Sequence, residues 1–402
     1  MKEYFAKTNT RIAILILVVL GLGFYAGRAS IQPSSRVSGI SNMGEGQPTN
    51  VDFEPFWEAW NLISERHVGK EEPTNQEKVW GAIQGLADSL NDPYSVFLPP
   101  EESTLFEEMI SGSFGGVGME IGEKEDTIVV ISPLKDTPAE KAGILSGDFV
   151  VSIDGESTYG LSVDEAVKRI RGEAGTEVTL EIAREKTEGL LTFKIVRDNI
   201  VVPTLATETR GDVFIVSLYN FDAMATTDFR EAMREFTLSP ATRLIIDLRG
   251  NPGGFLDAAV DIASYFVPAG EIIVSEHSEK DEAENGEHVS KGFVLSKKPE
   301  KIAVLINEGS ASASEIVAGA LQEHDVATLV GAQSFGKGSV QELIPLTFDT
   351  SLKLTIAQWL TPKGNSISDG GLTPDIAIEN EPGTIGTPND AQLNKALEIV
   401  SQ

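Results

Sequence analysis

The 402-residue chain has no cysteine. That excludes disulfides, thiol nucleophiles, lipidation on a thiol and cysteine-built zinc sites, but leaves the compartment open. Positive charge is scarce: 32 Lys and Arg stand against 61 Asp and Glu, a net charge of −29. Phosphate backbones need a basic surface, so nucleic acid is not expected as a partner. Histidine occurs only four times, at His67, His277, His288 and His324. No self-similar period of the length used by solenoids and propellers is visible. Long apolar runs are missing except for one, residues 12–26, preceded by Lys2, Lys7 and Arg11 and ended by Gly27 and Arg28. It is shorter than the ~20 residues of an average spanning helix and fits a signal-peptide core or a short anchor. Arg28 spoils the small-residue cleavage site around it, so an uncleaved signal anchor is expected over 1–28. The positive flank would stay in the cytoplasm, with one pass through the cell membrane and the remaining domains on the extracytoplasmic side.

What is present divides along the chain. Residues 29–50 are rich in Ser, Gly, Pro and Asn and read as a flexible tether. Helical spacing begins with Phe56, Trp57, Trp60, Leu62 and Ile63, and a second helix is expected from about Gln76 to Leu90, stopped by Asn91-Asp92-Pro93. Residues 51–110 thus form an N-terminal helical region whose tryptophans are packing residues, and whose apolar surface suits a homodimer. From 213 onward, apolar runs at 213–218, 244–248, 272–274 and 302–306 alternate with helical patterns, which predicts an α/β core over 198–402. The stretch 276–287 is acidic and without apolar period, and reads as a solvated surface loop.

The chemistry-bearing segment is Gly309-Ser310-Ala311-Ser312-Ala313-Ser314-Glu315, followed by Gly336-Lys337-Gly338-Ser339-Val340-Gln341. Residues 313–324 are rich in helix formers, so a serine at 312 would stand at a helix N-terminus, where free N–H groups receive an oxyanion. Lys337 becomes a base only if burial lowers its pKa from about 10.4 toward 7. Gln341 shares a face with Lys337 if this stretch is a strand, and would orient its amine. The residues alone leave Ser310, Ser312 and Ser314 open. A histidine-based triad finds no support: His324 lies three turns along the same helix from Ser312, about 18 Å away.

These segments, with Lys337 twenty-five positions after Ser312, resemble the C-terminal (tail-specific) processing peptidases, PDZ-containing serine peptidases with a Ser/Lys dyad. The resemblance covers nearly all of the chain after the first fifty residues, including the Leu-Asn-Asp-Pro-Tyr-Ser stretch ending at Ser95. It selects Ser312 as nucleophile and Lys337 as base. The segment Asp247-Leu248-Arg249-Gly250-Asn251-Pro252-Gly253-Gly254 resembles the family's second motif, which implies an oxyanion hole from the N–H groups of Ala313 and Gly254, with Gly253 the alternative. Glu323 stands where some relatives carry an aspartate and reads as a helix-surface carboxylate.

Residues 111–197 resemble a PDZ domain inserted ahead of the core. The carrying segments are Pro138-Ala139-Glu140-Lys141-Ala142-Gly143-Ile144 and Gly147-Asp148-Phe149-Val150-Val151-Ser152-Ile153-Asp154-Gly155. Its carboxylate loop would be Gly116, Val117, Gly118 and Met119, where consecutive N–H groups converge on a terminal carboxylate. Its helix would cover 164–171, with Arg171 placed where relatives carry an arginine facing the catalytic core. The expected architecture is α/β: a crotonase-like peptidase core, an inserted PDZ domain and an N-terminal helical segment. The expected activity is an exported or membrane-tethered endopeptidase that binds protein C-termini and needs no cofactor or metal. A catalytically silent PDZ adaptor or chaperone is the alternative from another class, and an acyl-CoA enzyme on the same core a third.

Overall fold

The computed structural model describes residues 50–69, 72–124, 127–278, 280, 285–368, 370–381 and 383–402, without the side chains of Met109 and Asp164. The anchor expected at 1–28 and the tether up to residue 49 lie outside the described residues. Among the described residues no helix is long and apolar enough to cross a membrane. The described residues up to 72 and those from 73 to 402 fall into two separate units. In the first, helix α1 (Glu54–Arg66) has a proline in its first turn and carries linked rings: Phe56 lies 4.9 Å from Trp57, and Trp57 lies 6.1 Å from Trp60.

The second unit opens with α2 (Asn75–Asp88), started by a capping box in which Thr74 and Glu77 satisfy each other's backbone N–H. After β1 (Val96–Leu98) and α3 (Pro100–Ser111) the chain enters a short antiparallel ribbon, β2 (Ser113–Gly116) paired with β9 (Asp198–Val201). Everything between those two strands forms the PDZ fold. Its sheet runs in the order β3 (Met119–Lys124), β4 (Thr127–Pro133), β5 (Phe149–Ile153), β7 (Glu177–Ala183) and β8 (Leu191–Val196), with β6 (Glu156–Ser157) beside β5. Two helices complete it, α4 (Pro138–Ala142) and α5 (Val163–Ile170). Ile128, Val150, Ala166, Val178, Leu180 and Ile182, all fully buried, make a core separate from that of the remainder. The loop expected at 116–119 is centred on Val117-Gly118. Gly116 ends the ribbon and Met119 begins the PDZ sheet.

The peptidase core is a six-stranded sheet. Strands β11 (Val213–Leu218), β12 (Arg243–Asp247), β15 (Ile302–Ile306), β16 (Thr328–Gly331) and β19 (Ile376–Ala377) are parallel, and β10 (Leu205–Arg210) pairs antiparallel at the edge. Alternate residues feed two cores. Phe214, Val216 and Leu218 face helices α6 (Ala225–Leu238), α7 (Leu256–Ala263) and α8 (Ala313–Glu323), while Val213 and Ile215 face α9 (Ala391–Ser401). Strands covered on both sides read as unbroken apolar runs, which is why Ile302–Ile306 is buried throughout. The run expected at 272–274 is β13 (Ile272–His277), but it does not join this sheet. It pairs antiparallel with β14 (Gly286–Val289) and β18 (Ser351–Leu360), and β18 also takes β1 and β17 (Ser339–Pro345).

One buried ion network ties the C-terminal helix to the sheet. Arg249, 2% exposed, donates to both oxygens of Asp247 (2.9 and 2.6 Å) and of Asp390 (2.8 and 2.9 Å). Asp390 in turn caps α9 by accepting the Leu393 N–H. Burial opposes ionisation of Asp390, but Arg249, the Leu393 and Gly386 N–H groups and the Asn380 amide outweigh it. They hold its carboxyl far below the usual carboxylate range. A depressed carboxyl contributes stability that is complete above its unfolded pKa of about 4 and is lost as pH falls through the folded value. Asp390→Asn is therefore expected to cost about 2–4 kcal/mol at pH 7, because Arg249 is left half-paired in the interior. In urea titrations the gap between wild type and variant should narrow steadily from pH 4 downward. A gap independent of pH would remove the ionic account of this anchor.

Candidate active site

Three serines compete in the turn before α8, and their hydroxyls differ in what they are bonded to. Ser310 is fully buried, accepts the Asn307 N–H (3.0 Å) and donates to Leu248 O (2.8 Å). Ser314, also fully buried, donates to Asn251 O (3.0 Å). Both hydroxyls are consumed in stitching this turn to the one after β12. Ser312 is partly exposed and has φ +54° and ψ −114°. A non-glycine residue in that region costs roughly 1–3 kcal/mol, which persists only where the surroundings over-determine it. What selects Ser312 is thus the bonding of its two neighbours together with its own strained backbone.

The surroundings that hold it are specific. Asn307 Oδ1 accepts from Gly250 N (2.8 Å) and Gly309 N (3.1 Å), and Ala311 N donates to Asn251 O (3.0 Å). Gly253, at φ +101°, lies so close that a Cβ there would fall 2.8 Å from Ser312 Cβ and 2.9 Å from Ala313 N. Only glycine fits that approach. The Gly253 N–H is spent on Asn251 Oδ1 (2.9 Å), whereas among the described residues the N–H groups of Gly254 and Ala313 make no hydrogen bond. Two free donors thus border the serine turn, at a helix N-terminus.

Glu315, a residue without an assigned role in the sequence reading, is the hub of the site. Its side chain is fully buried and accepts four hydrogen bonds: from Ser312 N (2.9 Å), Ser334 Oγ (2.6 Å), Gly336 N (2.7 Å) and Lys337 N (3.0 Å). One carboxylate therefore binds the serine turn to the lysine turn. The Ser312-x-x-Glu315 spacing is a capping-box pattern legible in the sequence, and that was the available signal.

Lys337 is half-buried, and its ammonium lies 5.4 Å from the centre of the Tyr94 ring. Burial pushes it below the usual lysine range; the charge of Lys353 acts the same way, and Glu315 opposes both. No hydrogen bond joins Lys337 Nζ to Ser312 Oγ among the described residues. Gln341 does not orient the amine: its amide donates to Ser339 Oγ (3.3 Å). Lys337 lies ahead of β17, which begins at Ser339, so strand periodicity does not carry from it to Gln341; a β-bulge in β18 also shifts the register between Val340 and Gln341. Glu323 binds Thr361 Oγ1, Asn365 Nδ2 and Lys363 N, which anchors the 361–365 turn rather than any catalytic group. His324 is bonded to Ile272 O and His288 to Glu276.

In the PDZ domain, β3 is the terminal strand of its sheet, so its outer edge is unpaired. A small cavity of about 70 Å³ lies at that edge, lined by Val117, Met119, Ile121, Val167, Ile170 and other residues including Gly116 and Gly118. The carbonyls of Val117 and Gly118 are taken by Ala139 N and Leu134 N, and their own N–H groups make no hydrogen bond among the described residues. Arg171 sits at the mouth of this groove, just past α5. Its guanidinium stacks 4.0 Å from the centre of the Phe114 ring and pairs with Glu108 at 3.5 Å. It touches α3 and the β2–β9 ribbon, and not Ser312 or Lys337.

Comparison with known proteins agrees with this layout. The model of peptidase family S41 matches residues 212–378, a PDZ domain model matches 129–184, and the model of the activating protease CtpB N-terminal domain matches 17–102. The carboxy-terminal-processing protease of Bartonella bacilliformis is 42% identical over 311 residues, 76% of this chain and 71% of that protein. The carboxy-terminal processing protease CtpB of Bacillus subtilis is 39% identical over 329 residues, 80% of this chain and 66% of that one. Among solved structures, the photosystem II D1 C-terminal processing protease superposes with a TM-score of 0.51 at 26% identity, covering 86% of this chain and 96% of that one. The chain belongs to peptidase family S41, as a PDZ-containing C-terminal processing serine protease.

Proposed function

We propose that this protease cleaves with Ser312 as nucleophile and Lys337 as general base, on substrates whose free C-terminus is captured by the PDZ groove. The observation that carries the reading is Glu315: one buried carboxylate fixes the backbone of Ser312, whose hydroxyl, unlike those of Ser310 and Ser314, is not bonded across to the turn after β12, and that of a lysine whose ammonium is destabilised by burial. Neutral Lys337 takes the Ser312 proton as Oγ attacks the scissile carbonyl, then delivers it to the leaving amine. The Ala313 and Gly254 N–H groups receive the oxyanion, and water releases the acyl-enzyme. The amine and hydroxyl come within hydrogen-bonding distance when substrate closes the site, as catalytic contacts commonly tighten only in the complex.

The PDZ part of the proposal rests on the unpaired edge of β3 and the free Val117 and Gly118 N–H groups. An extended tail adds as a strand there, its carboxylate on the 116–119 loop and its last side chain in the apolar cavity. The apolar run at 12–26 supports a membrane anchor with the protease on the extracytoplasmic side. Resistance of the full-length chain to alkaline extraction from membranes tests it. The silent-adaptor alternative would need the serine turn or the lysine to be missing, and both are in place.

Ser312→Ala is expected to abolish cleavage without loss of fold. Ser310→Ala and Ser314→Ala should keep activity while each losing about 1 kcal/mol of stability with its buried hydrogen bond. Peptide hydrolysis and urea melts of the three variants decide it, and activity in Ser312→Ala would overturn the nucleophile.

Glu315→Gln should lower kcat by at least tenfold, because an amide turns an NH₂ group onto backbone donors that a carboxylate accepts. An unchanged kcat would show that the two turns hold position without it.

For tail capture, one peptide is compared as free acid and as C-terminal amide. The amide loses the charge that the loop complements, and should bind more weakly by about 1–3 kcal/mol. Equal cleavage of the two forms would sink tail recognition. Arg171, at the groove mouth, is the candidate that would relay tail occupancy to the active site, and an acid–amide difference that persists in Arg171→Ala would remove only that role.

A further inference from the structure

The floor beneath Lys337 is a sheet face assembled from three strands. β1 pairs with β18 through Val96 and Lys353, and continuing the same register sets Tyr94 opposite Thr355. On the other side of β18, β17 sets Gln341 opposite Thr355 and Leu343 opposite Lys353. Directly paired residues share a face, so Tyr94, Thr355 and Gln341 form one row, and Val96, Lys353 and Leu343 the next. The Lys337 ammonium lies over the first row, on the Tyr94 ring. Lys353 belongs to the second, about 7 Å further along the strand.

We propose that Lys353 is a positioning residue of the reaction: a second cation on the floor of the site that keeps Lys337 from holding its proton at rest. The inference rests on the reading of Lys337 as the base and adds what makes that base available.

The two lysines face different surroundings. Lys353 is half-buried with its ammonium 5.5 Å from the centre of the Phe106 ring; burial lowers it below the usual lysine range, and Asp92, in the turn after α2, partly opposes that shift. Asp92 is itself fixed by Ser95 Oγ (2.6 Å) and Tyr94 N (3.0 Å). Lys337 has a tyrosine ring beneath it and one carboxylate nearby, Glu315, whose oxygens are occupied by four donors. Other charged groups on the surrounding elements point elsewhere. Glu108 of α3 pairs with Arg171, while Glu101, Glu102 and Glu107 are exposed. Glu342 of β17 is exposed and lies opposite Leu354, on the other face. Two ammoniums sharing a partly desolvated floor cannot both be charged cheaply, and of the two only Lys353 has Asp92 beside it to favour its charged form. Burial lowers Lys337, and the Lys353 charge lowers it further.

The test measures kcat/KM for an unstructured peptide from pH 6 to 10 in wild type, Lys353→Met, Lys353→Gln and Lys353→Arg. In parallel, the pH at which Lys337 becomes acetylated by acetic anhydride is read by mass spectrometry in wild type and Lys353→Met. Removing the cation should shift the acid limb to higher pH. Activity would fall roughly three- to tenfold at pH 7 and recover toward wild type at the alkaline end. Lys353→Arg should follow the wild-type limb, and Lys337 should label at higher pH in Lys353→Met. A rate lowered equally at every pH in Met and Gln variants, or an unmoved labelling curve, overturns the proposal. Activity surviving in Lys337→Ala would instead overturn the dyad, while the labelling comparison would still decide whether Lys353 acts on Lys337.

Discussion

The candidate active site depends on a buried negative charge that is fully satisfied. Glu315 is sequestered from solvent, and burying a carboxylate is tolerated only when its lone pairs are taken. Here all four donors come from the two turns that must meet, one bearing Ser312 and one bearing Lys337. Three of the four are backbone N–H groups and the fourth is a buried hydroxyl, so the contact fixes chain path rather than side-chain rotamer. The Lys337 amine itself is not among the groups that Glu315 holds. Its position over Tyr94, away from Ser312, is compatible with an intact scaffold.

Around that hub the site is gathered from segments far apart in the chain. The 92–98 segment supplies the Tyr94 ring and a strand for β18, and the 251–254 turn supplies a free N–H and the close approach of Gly253. The parallel sheet delivers the 248–254 and 307–314 turns side by side because β12 and β15 are neighbours. Arg249 then locks the first of these turns to α9 through Asp390. Crossed hydrogen bonds between the turns, from Ala311, Ser314 and Gly250, offset the strain stored at Ser312.

Local features of this site were legible in the sequence, and features created by long-range pairing were not. Helix formers after Ser312 announced α8, and doubly covered strands such as Ile302–Ile306 announced themselves as apolar runs. The serine-to-glutamate spacing was also readable, although its purpose was not, since three of its four donors belong to a turn some twenty residues away. Gln341 lost its expected partner because Lys337 stands ahead of β17, which begins at Ser339, and period-two reasoning has no signal for where the strand begins. The strand Ile272–His277 carried a correct local pattern but went to the second sheet, where its partner β18 comes some eighty residues later. The Tyr94 and Lys353 rows depend on the register of β1 against β18, which no local window contains.

The same distinction separates the two arginines of the PDZ edge. Arg171 has a helix-end position that draws attention in sequence, yet its guanidinium rests on Phe114 and Glu108. Arg197 drew none, but is 9% exposed and donates to Ile170 O, Arg169 O, Glu177 O and Thr176 Oγ1. Those acceptors include the last carbonyls of α5, so Arg197 closes the groove helix onto the residue just before β9. Gly172, following that helix, donates its N–H to Gly115 O in β2 (3.1 Å). The peptide groove is thereby bonded to both strands of the ribbon that leads into the core. A tail that displaces α5 must work against these bonds, and Arg171 shares in the same junction through Phe114 of β2.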